Sequence, residues 1–553
     1  MTVHHRSLNA SDDGHRPERQ GRAIGTSDHA VSRAESFPME DEPRRLLLVV
    51  AIVLLALGVR WWGLESQSLT MDEIADIGSA SGSLSSVIHT RDGFPPLYGT
   101  LVHAWLSVIP GEANVRWLSL ILGVLSVAAM QRLGAWAGGE RVGRFAALAL
   151  AVSPFHCWIS QEARAGALYV LCAVVALWLF FRAMSTNRRR DWLLYALACV
   201  AGLYSHYYFA LLPLIAGGVA LFEKRTAAER MPIVLANAAL AIASLPLVGL
   251  LRADLAYQSG YKLDAPFNVA TMGYAYFSIV AGFDVGPSLR ELHSLSTSAA
   301  VLLMLPWAVA VAIALLVLGY LAIVTLGTRP IFTRLVVLAT APVAVGGTVG
   351  EIMGTGFRVR YFAWVVIPVL VLVAAGLSSF RWRAARLAAA GTLLIVSAIS
   401  IVDRVRVERY WNEDVAALGT FLRATSAPSV PVFVTAKYMA VPVEHYLGAG
   451  WTVCALPDVN DDSRGTDGAL RVVRTVTPPG SAFWLVYTRP FHSDPAGRLP
   501  LDLMRLGLIR SRREFAGITV YQGNTTGAPP SVPPLGCQDP NPTDGTGTRA
   551  RRD

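Results

Sequence analysis

Pro95-Pro96-Leu97-Tyr98-Gly99-Thr100-Leu101-Val102-His103-Ala104-Trp105-Leu106-Ser107-Val108-Ile109-Pro110 is the stretch on which the fold turns. It is apolar, yet bracketed by proline and short. A hydrocarbon core about 30 Å thick takes about 20 helical residues to cross. The length favours an interfacial or re-entrant segment, and every later segment lies on one side of a membrane or the other according to that reading.

The flanking charges decide it. Apolar runs long enough to span lie at roughly 46–64, 115–136, 143–159, 166–184, 191–209, 210–223, 231–251, 299–326, 333–352, 361–380 and 386–402, about eleven in all. With a cytoplasmic N-terminus and a non-crossing 96–110, the inner loops are those holding Arg141 and Arg144, Arg188 to Arg190, Lys224, Arg225 and Arg230, Arg329 and Arg334, and Arg381, Arg383 and Arg386. All five are basic, as the positive-inside rule asks. The expected architecture is an α-helical polytopic membrane protein, with 96–110 a juxtamembrane helix in a first outer loop, 65–114.

Composition agrees. The 553 residues are 53% hydrophobic and only 16% charged, with 48 Lys+Arg against 39 Asp+Glu, a net charge of +9. Soluble domains carry about 25% charged residues, so a soluble globular, disordered or nucleic-acid-binding protein is excluded. The five cysteines form no C-x-x-C pair, so neither a zinc site nor a disulfide framework is indicated. Residues 1–44 and 524–553 read as disordered tails, the first of them cytoplasmic. Residues 403–523 have ordinary charge density and read as a small extracytoplasmic α/β domain. Its expected helices are 412–425 and 501–509, and its expected strands 430–436, 483–488 and 517–521.

No Walker A, H-E-x-x-H, complete dinucleotide fingerprint or D-x-D pair occurs. Ionisable residues cluster instead at the expected outer ends of spans. In Met71-Asp72-Glu73, neighbouring side chains on a helix diverge by about 100°, so one acid can serve as general base while the other holds substrate or a loop; a solvated or capping pair is the plain alternative. Asp92 precedes the two prolines and could be only a turn former. Ser160-Gln161-Glu162-Ala163-Arg164 sits between two spans with almost no loop, at headgroup depth, where charge is costly and usually functional. Arg164 there suits a phosphate, or pairs structurally with Glu162. His206 and Tyr207 lie in an aromatic turn that an interfacial belt would also explain. Arg358 and Arg360 stand outside, against the charge trend, and call for a lipid phosphate or an acid from the first loop.

In order and spacing, Met71-Asp72-Glu73, Phe94-Pro95-Pro96-Leu97-Tyr98, Val115-Arg116-Trp117, Ser153-Pro154-Phe155, Gln161-Glu162-Ala163-Arg164, Tyr204-Ser205-His206-Tyr207 and Arg360-Tyr361-Phe362 resemble the polytopic GT-C type glycosyltransferases. The nearer likeness is to the glycosyltransferase family 39-like branch, kin of protein O-mannosyltransferases and the lipid A aminoarabinose transferase. It covers roughly 45–402. The resemblance implies a multi-pass protein of a bacterial inner membrane. Such an enzyme moves a sugar from a polyprenyl-phosphate carrier to a glycan, lipid or protein acceptor on the outer face.

By the same resemblance Asp72 is the base with Glu73 beside it. Arg164, Arg360 and Arg358 engage donor phosphate, and Glu162, Asp92, Tyr98, His206, Tyr207 and Tyr361 line the pocket. No cofactor is required, and a divalent metal is permitted but not demanded, because fixed arginine charge can serve a phosphate leaving group. The competing classes are a lipid-linked oligosaccharide flippase or transporter and an O-antigen ligase or polymerase. A transporter would place its ionisable residues in mid-span.

Overall fold

The computed structural model describes residues 41–88, 94–259, 266–327, 330–459 and 466–525. Asp92 and nearly all of both expected tails lie outside these. The elements below lie in the compact unit Val49–Asp553, except that the helix Asp41–Trp61 begins before it. Pro95 and Pro96 open the helix Pro96–Val108, with proline at its first turn, where a missing N–H costs nothing. At 13 residues it is about 20 Å long, too short to cross. It is tied to neighbouring segments by Leu97 N–H donating to the Tyr204 carbonyl at 2.9 Å and by a 2.8 Å contact from His103 Nδ1 to the Ala80 carbonyl.

Among the described residues six helices are long and apolar enough to span a membrane, and up to eight elements if each of two pairs bent by 60° counts as one. The chain is therefore a multi-pass, mostly helical membrane protein. The other expected spans coincide with Asp41–Trp61, whose 21 residues include Arg45 and Arg60, and with Arg189–Leu203 and Leu211–Glu223, of 15 and 13 residues. Val115–Gly138 and Glu140–Ala151 pack at glycine. A Cβ on Gly134 would stand 2.9 Å from Gly143 Cα, so the helices touch backbone to backbone.

One bent pair, Glu140–Ala151 and Pro154–Ser160, breaks where Pro154 cannot donate to the Leu150 carbonyl. Arg60 takes over that duty. Its guanidinium donates to Leu150 O at 3.0 Å, Ala151 O at 2.8 Å and Ala56 O at 3.1 Å, and it is fully buried. Arg60 thus caps a broken helix inside the protein.

The C-terminal region carries a five-stranded sheet: β1 (Val432–Val434), β2 (Val453–Ala455), β3 (Ala482–Thr488), β4 (Ile509–Phe515) and β5 (Ile518–Asn524), in the order β2-β1-β3-β5-β4. The first three strands are parallel and the last two antiparallel. Side chains alternate between two cores. Val432, Val434 and Trp484 face helices Val415–Thr425 and Ala440–Leu447, while Phe433, Cys454 and Leu485 face Asp467–Val476 and Arg498–Arg505. The expected helix over 501–509 ends at Arg505, since Gly507 at φ 67° turns the chain and Ile509 begins β4. Cys454 is disulfide-bonded, which the cysteine spacing did not announce.

Arg60→Leu removes three donors from buried carbonyls, each worth about 1–3 kcal/mol when left unmade. It should lower the thermal unfolding midpoint in detergent far more than the exposed Arg141→Leu. Equal midpoints would show that the break needs no cap.

Candidate active site

The site starts from a cap. Thr70 and Glu73 form a reciprocal capping box that begins the helix Met71–Ala80. Glu73 does more than cap. Its carboxylate takes the Arg116 fork at 2.8 and 2.9 Å and the Ala163 N–H at 2.8 Å, with its side chain 0% exposed. Arg116 also donates to the Leu64, Gln67 and Ser68 carbonyls. Burial pushes the Glu73 carboxyl up, and Arg116 with the two backbone donors brings it below its ordinary value.

One residue earlier on the helix, Asp72 points elsewhere and is 35% exposed, so of the two acids it alone is open to solvent. It pairs with Arg164, from the loop before helix Gly166–Thr186, and with Arg360 Nη1 at 3.0 Å, from the 3-10 turn Val359–Val365. Arg164 Nε also reaches Asp76 at 3.4 Å. Burial acts to raise the Asp72 carboxyl, but Arg164 and Arg360 outweigh it and hold it well below the usual carboxylate range.

Glu162 is the contrasting acid. Among the described residues its carboxylate makes no hydrogen bond or ion pair, and it lines a narrow cleft with Gln67, Arg404 and Asn412. Burial, then the charge of Glu73, pushes it up to about 7 against Arg360 and Arg164. Tyr98 is buried, its hydroxyl 2.9 Å from Ser119 Oγ, and lines a second narrow cleft with Asp76 and Phe94.

His206 is walled by Tyr169, Phe94 and Tyr361 at 4.7, 5.7 and 5.4 Å, and its Nδ1 accepts the Tyr208 N–H at 3.2 Å. Tyr361 stacks on Tyr208 and its carbonyl accepts from Tyr169. Arg358 lies 5.8 Å from the Tyr361 ring and adds to the field on Asp72. Tyr207 packs on the helical core beside them.

The structure thus brings together Asp72, Arg164, Arg360, Arg358, Tyr361 and His206, with Glu162 and Tyr98 in adjoining clefts. Glu73 sits behind them, and Asp92 is outside the described residues. Arg116 was not singled out for the site from sequence, although an arginine at the mouth of a span is itself a signal. Arg404, just past the span 386–402, carries the same signal, and Gln67 carries none. The C-terminal region closes one side: Tyr446 accepts from Leu69 N–H at 2.7 Å, and Ser68 Oγ bonds Asp414 at 3.2 Å, just before Asp72 in the chain.

Residues 95–248 match the protein family described as dolichyl-phosphate-mannose-protein mannosyltransferase. No curated protein matches the chain. The oligosaccharyltransferase of Archaeoglobus fulgidus in its apo form superposes with a TM-score of 0.51 at 12% identity, over 81% of this chain and 70% of that one. The archaeal oligosaccharyltransferase AglB from the same organism, in complex with an inhibitory peptide and a dolichol-phosphate, gives 0.51 at 13%, over 88% and 74%. ArnT from Cupriavidus metallidurans gives 0.45 at 13%, over 87% and 98%. At such identities the likeness to AglB is one of fold.

Because folding raises the Glu162 carboxyl from 4.5 to about 7, the folded state binds the proton more tightly, and stability is lost as pH rises between those values. Glu162→Gln should flatten the unfolding midpoint across that window and lift it above wild type beyond it. Parallel midpoint curves would refute an ionising buried Glu162.

Proposed function

We propose that this chain, a GT-C type membrane glycosyltransferase, transfers a sugar from a polyprenyl-phosphate carrier to an acceptor on the outer face of a bacterial inner membrane, inverting the anomeric carbon. The acceptor is a cell-envelope glycan, lipid or protein. The observation that carries the reading is the Asp72 carboxylate held between Arg164 and Arg360. A carboxylate bridging two arginines occupies a place suited to a phosphate oxygen, and the arginine fork suits either anion.

The donor phosphate draws Arg164 and Arg360 to itself, with Arg358 adding positive field. Asp72, relieved of its cations, regains basicity and takes the proton of the acceptor hydroxyl. That oxygen attacks the anomeric carbon as the carbon–oxygen bond to phosphate breaks, and the electron pair leaves with the polyprenyl phosphate. The arginines balance the charge that develops there. The base is thereby idle until donor is bound. Glu73 holds the loop, while Glu162, Tyr98, His206, Tyr207 and Tyr361 shape the pocket. Asp92 belongs with them by its place in the sequence. Among the described residues no group of three or more His, Cys, Asp or Glu could hold a metal, and no step here runs through one.

About eleven spans, a cytoplasmic N-terminal tail and an outer C-terminal domain complete the proposal. The basic loops support that orientation. The Cys454 disulfide supports an oxidising compartment for the sheet. Reporter fusions at Arg189 and Arg383 should read cytoplasmic and one at Gly450 external; an external Arg189 would overturn the topology.

With purified protein, Asp72→Asn should cut sugar transfer by about 10²–10⁴-fold while donor affinity holds or rises, since a competitor for the arginines is gone. Arg164→Ala should weaken donor binding strongly, and Arg164→Lys should recover only part, lacking the fork. Near-normal turnover by Asp72→Asn would remove it as base. Unchanged donor affinity in Arg164→Ala would leave that residue a structural role.

A further inference from the structure

The C-terminal sheet has a place where ligands gather in folds of its kind. Strands β2, β1 and β3 are parallel with β1 in the middle. The chain leaves β1 for β2 on one side, then crosses to β3 on the other, with helix Ala440–Leu447 on one face and Asp467–Val476 on the opposite one. In such sheets the crevice outside the carboxyl ends of the strands, at the point where the order reverses, is the binding site. Here it lies between the ends of β1 and β3, which Thr435 and Thr488 hold together: Thr435 Oγ1 donates to the Thr488 carbonyl at 2.8 Å and accepts its N–H at 2.8 Å.

Immediately beyond those threonines the backbone is strained. Three described non-glycine residues have positive φ. Asn187 caps a helix, and the other two are Ala436 at 54° and Arg489 at 45°, one after each strand. Left-handed alanine and arginine cost energy and cluster at functional sites. The turns they start present Lys437 and Tyr438 from one side and Phe491 and His492 from the other, all partly exposed. Tyr438 OH contacts His492 Nδ1, the Arg489 guanidinium lies 5.4 Å from the Tyr438 ring, and His293 of the short helix Leu289–Ser294 lies 4.7 Å from the Phe491 ring.

The charges here cancel within the protein. Glu413 grips Arg489 through both oxygens at 2.8 Å, and Lys437 stands 4.0 Å from Asp458. Burial, then Arg489, pushes His492 down to about 4, leaving it neutral. What the two turns present is partly exposed aromatic side chains beside hydrogen-bonding groups whose charges are paired within the protein. That combination fits an uncharged polyhydroxylated ring, whose C–H face packs on aromatics while its hydroxyls bond to the polar rim.

We infer that the crevice between the carboxyl ends of β1 and β3 is a second binding site, separate from the arginine cluster, and that it takes a neutral carbohydrate on Tyr438, Phe491, His492 and Arg489. The site stands independently of the donor reading.

Saturation-transfer difference NMR tests it on the full-length protein in detergent, with methyl glycosides of neutral hexoses and pentoses as probes. Wild type and Arg164→Ala should both transfer saturation to the sugar ring protons. Phe491→Ala and the fold-preserving Tyr438→Phe should each weaken binding by about tenfold, one packing or hydrogen-bonding contact's worth. Absence of signal from wild type, equal signal from both variants, or stronger binding of sugar phosphates than of neutral glycosides would overturn the proposal.

Discussion

The buried pair of Glu73 and Arg116 is the interaction on which the site depends. Its carboxylate is shared by Arg116, Thr70 N–H and Ala163 N–H, so one side chain ties together the first-loop helix, the helix Val115–Gly138 and the loop 161–165. A buried ion pair gives little net stability, because desolvation offsets attraction, but removal of one partner leaves the other stranded at a cost of about 3–5 kcal/mol. Such a pair specifies geometry. With Glu73 fixed inward, the roughly 100° turn to its neighbour aims Asp72 out of the core, and with Ala163 fixed, Arg164 is brought to meet it. The placing of Asp72 against Arg164 thus follows from an acid that is itself closed off from solvent.

Ion pairs of a different kind lie outside that clamp. Asp72 and Asp76 share Arg164, and Asp72 also has Arg360, with partial solvent access to each member. Pairs with solvent access exchange partners at little cost. The inner pair is closed and the outer ones are open. Two acids adjacent in sequence therefore differ in role because their environments differ.

Much of this was legible in the chain. The Asp72–Glu73 divergence and the short helix behind two prolines followed from spacing and length, and the outer position of Arg360, against the charge trend, called for a lipid phosphate or a first-loop acid, of which Asp72 is the one present. Arg60 and Arg116 were less legible. An arginine at the end of an apolar run looks the same whether it snorkels to headgroups or turns inward to cap carbonyls, and only packing separates the two. Strand β2 is three buried residues, too short to show alternation. Strand β4, Ile509–Phe515, is an arginine-rich edge strand with its middle exposed, and edge strands carry such charge to prevent pairing with other chains. Both were missed because the periodic signal needs length and one buried face.

A line of consequence runs from a single proline to the substrate side. Pro154 breaks the helix and has no N–H for the Leu150 carbonyl, which Ser153 N–H meets only at 3.4 Å; Arg60 donates to it and is drawn fully inside. Its own carbonyl and that of Trp62 then accept the Gln161 amide, both at 3.0 Å, while Gln161 Oε1 takes Arg404 at 3.2 Å. Gln161 is the residue before Glu162 and three before Arg164. The broken helix thus sets the start of the loop, Glu73 sets its middle through Ala163, and the arginine that meets Asp72 has its backbone held from both supports. A loop so short, fixed at two points, holds the Arg164 cation against Asp72 although it is a nearly loopless connection between two helices.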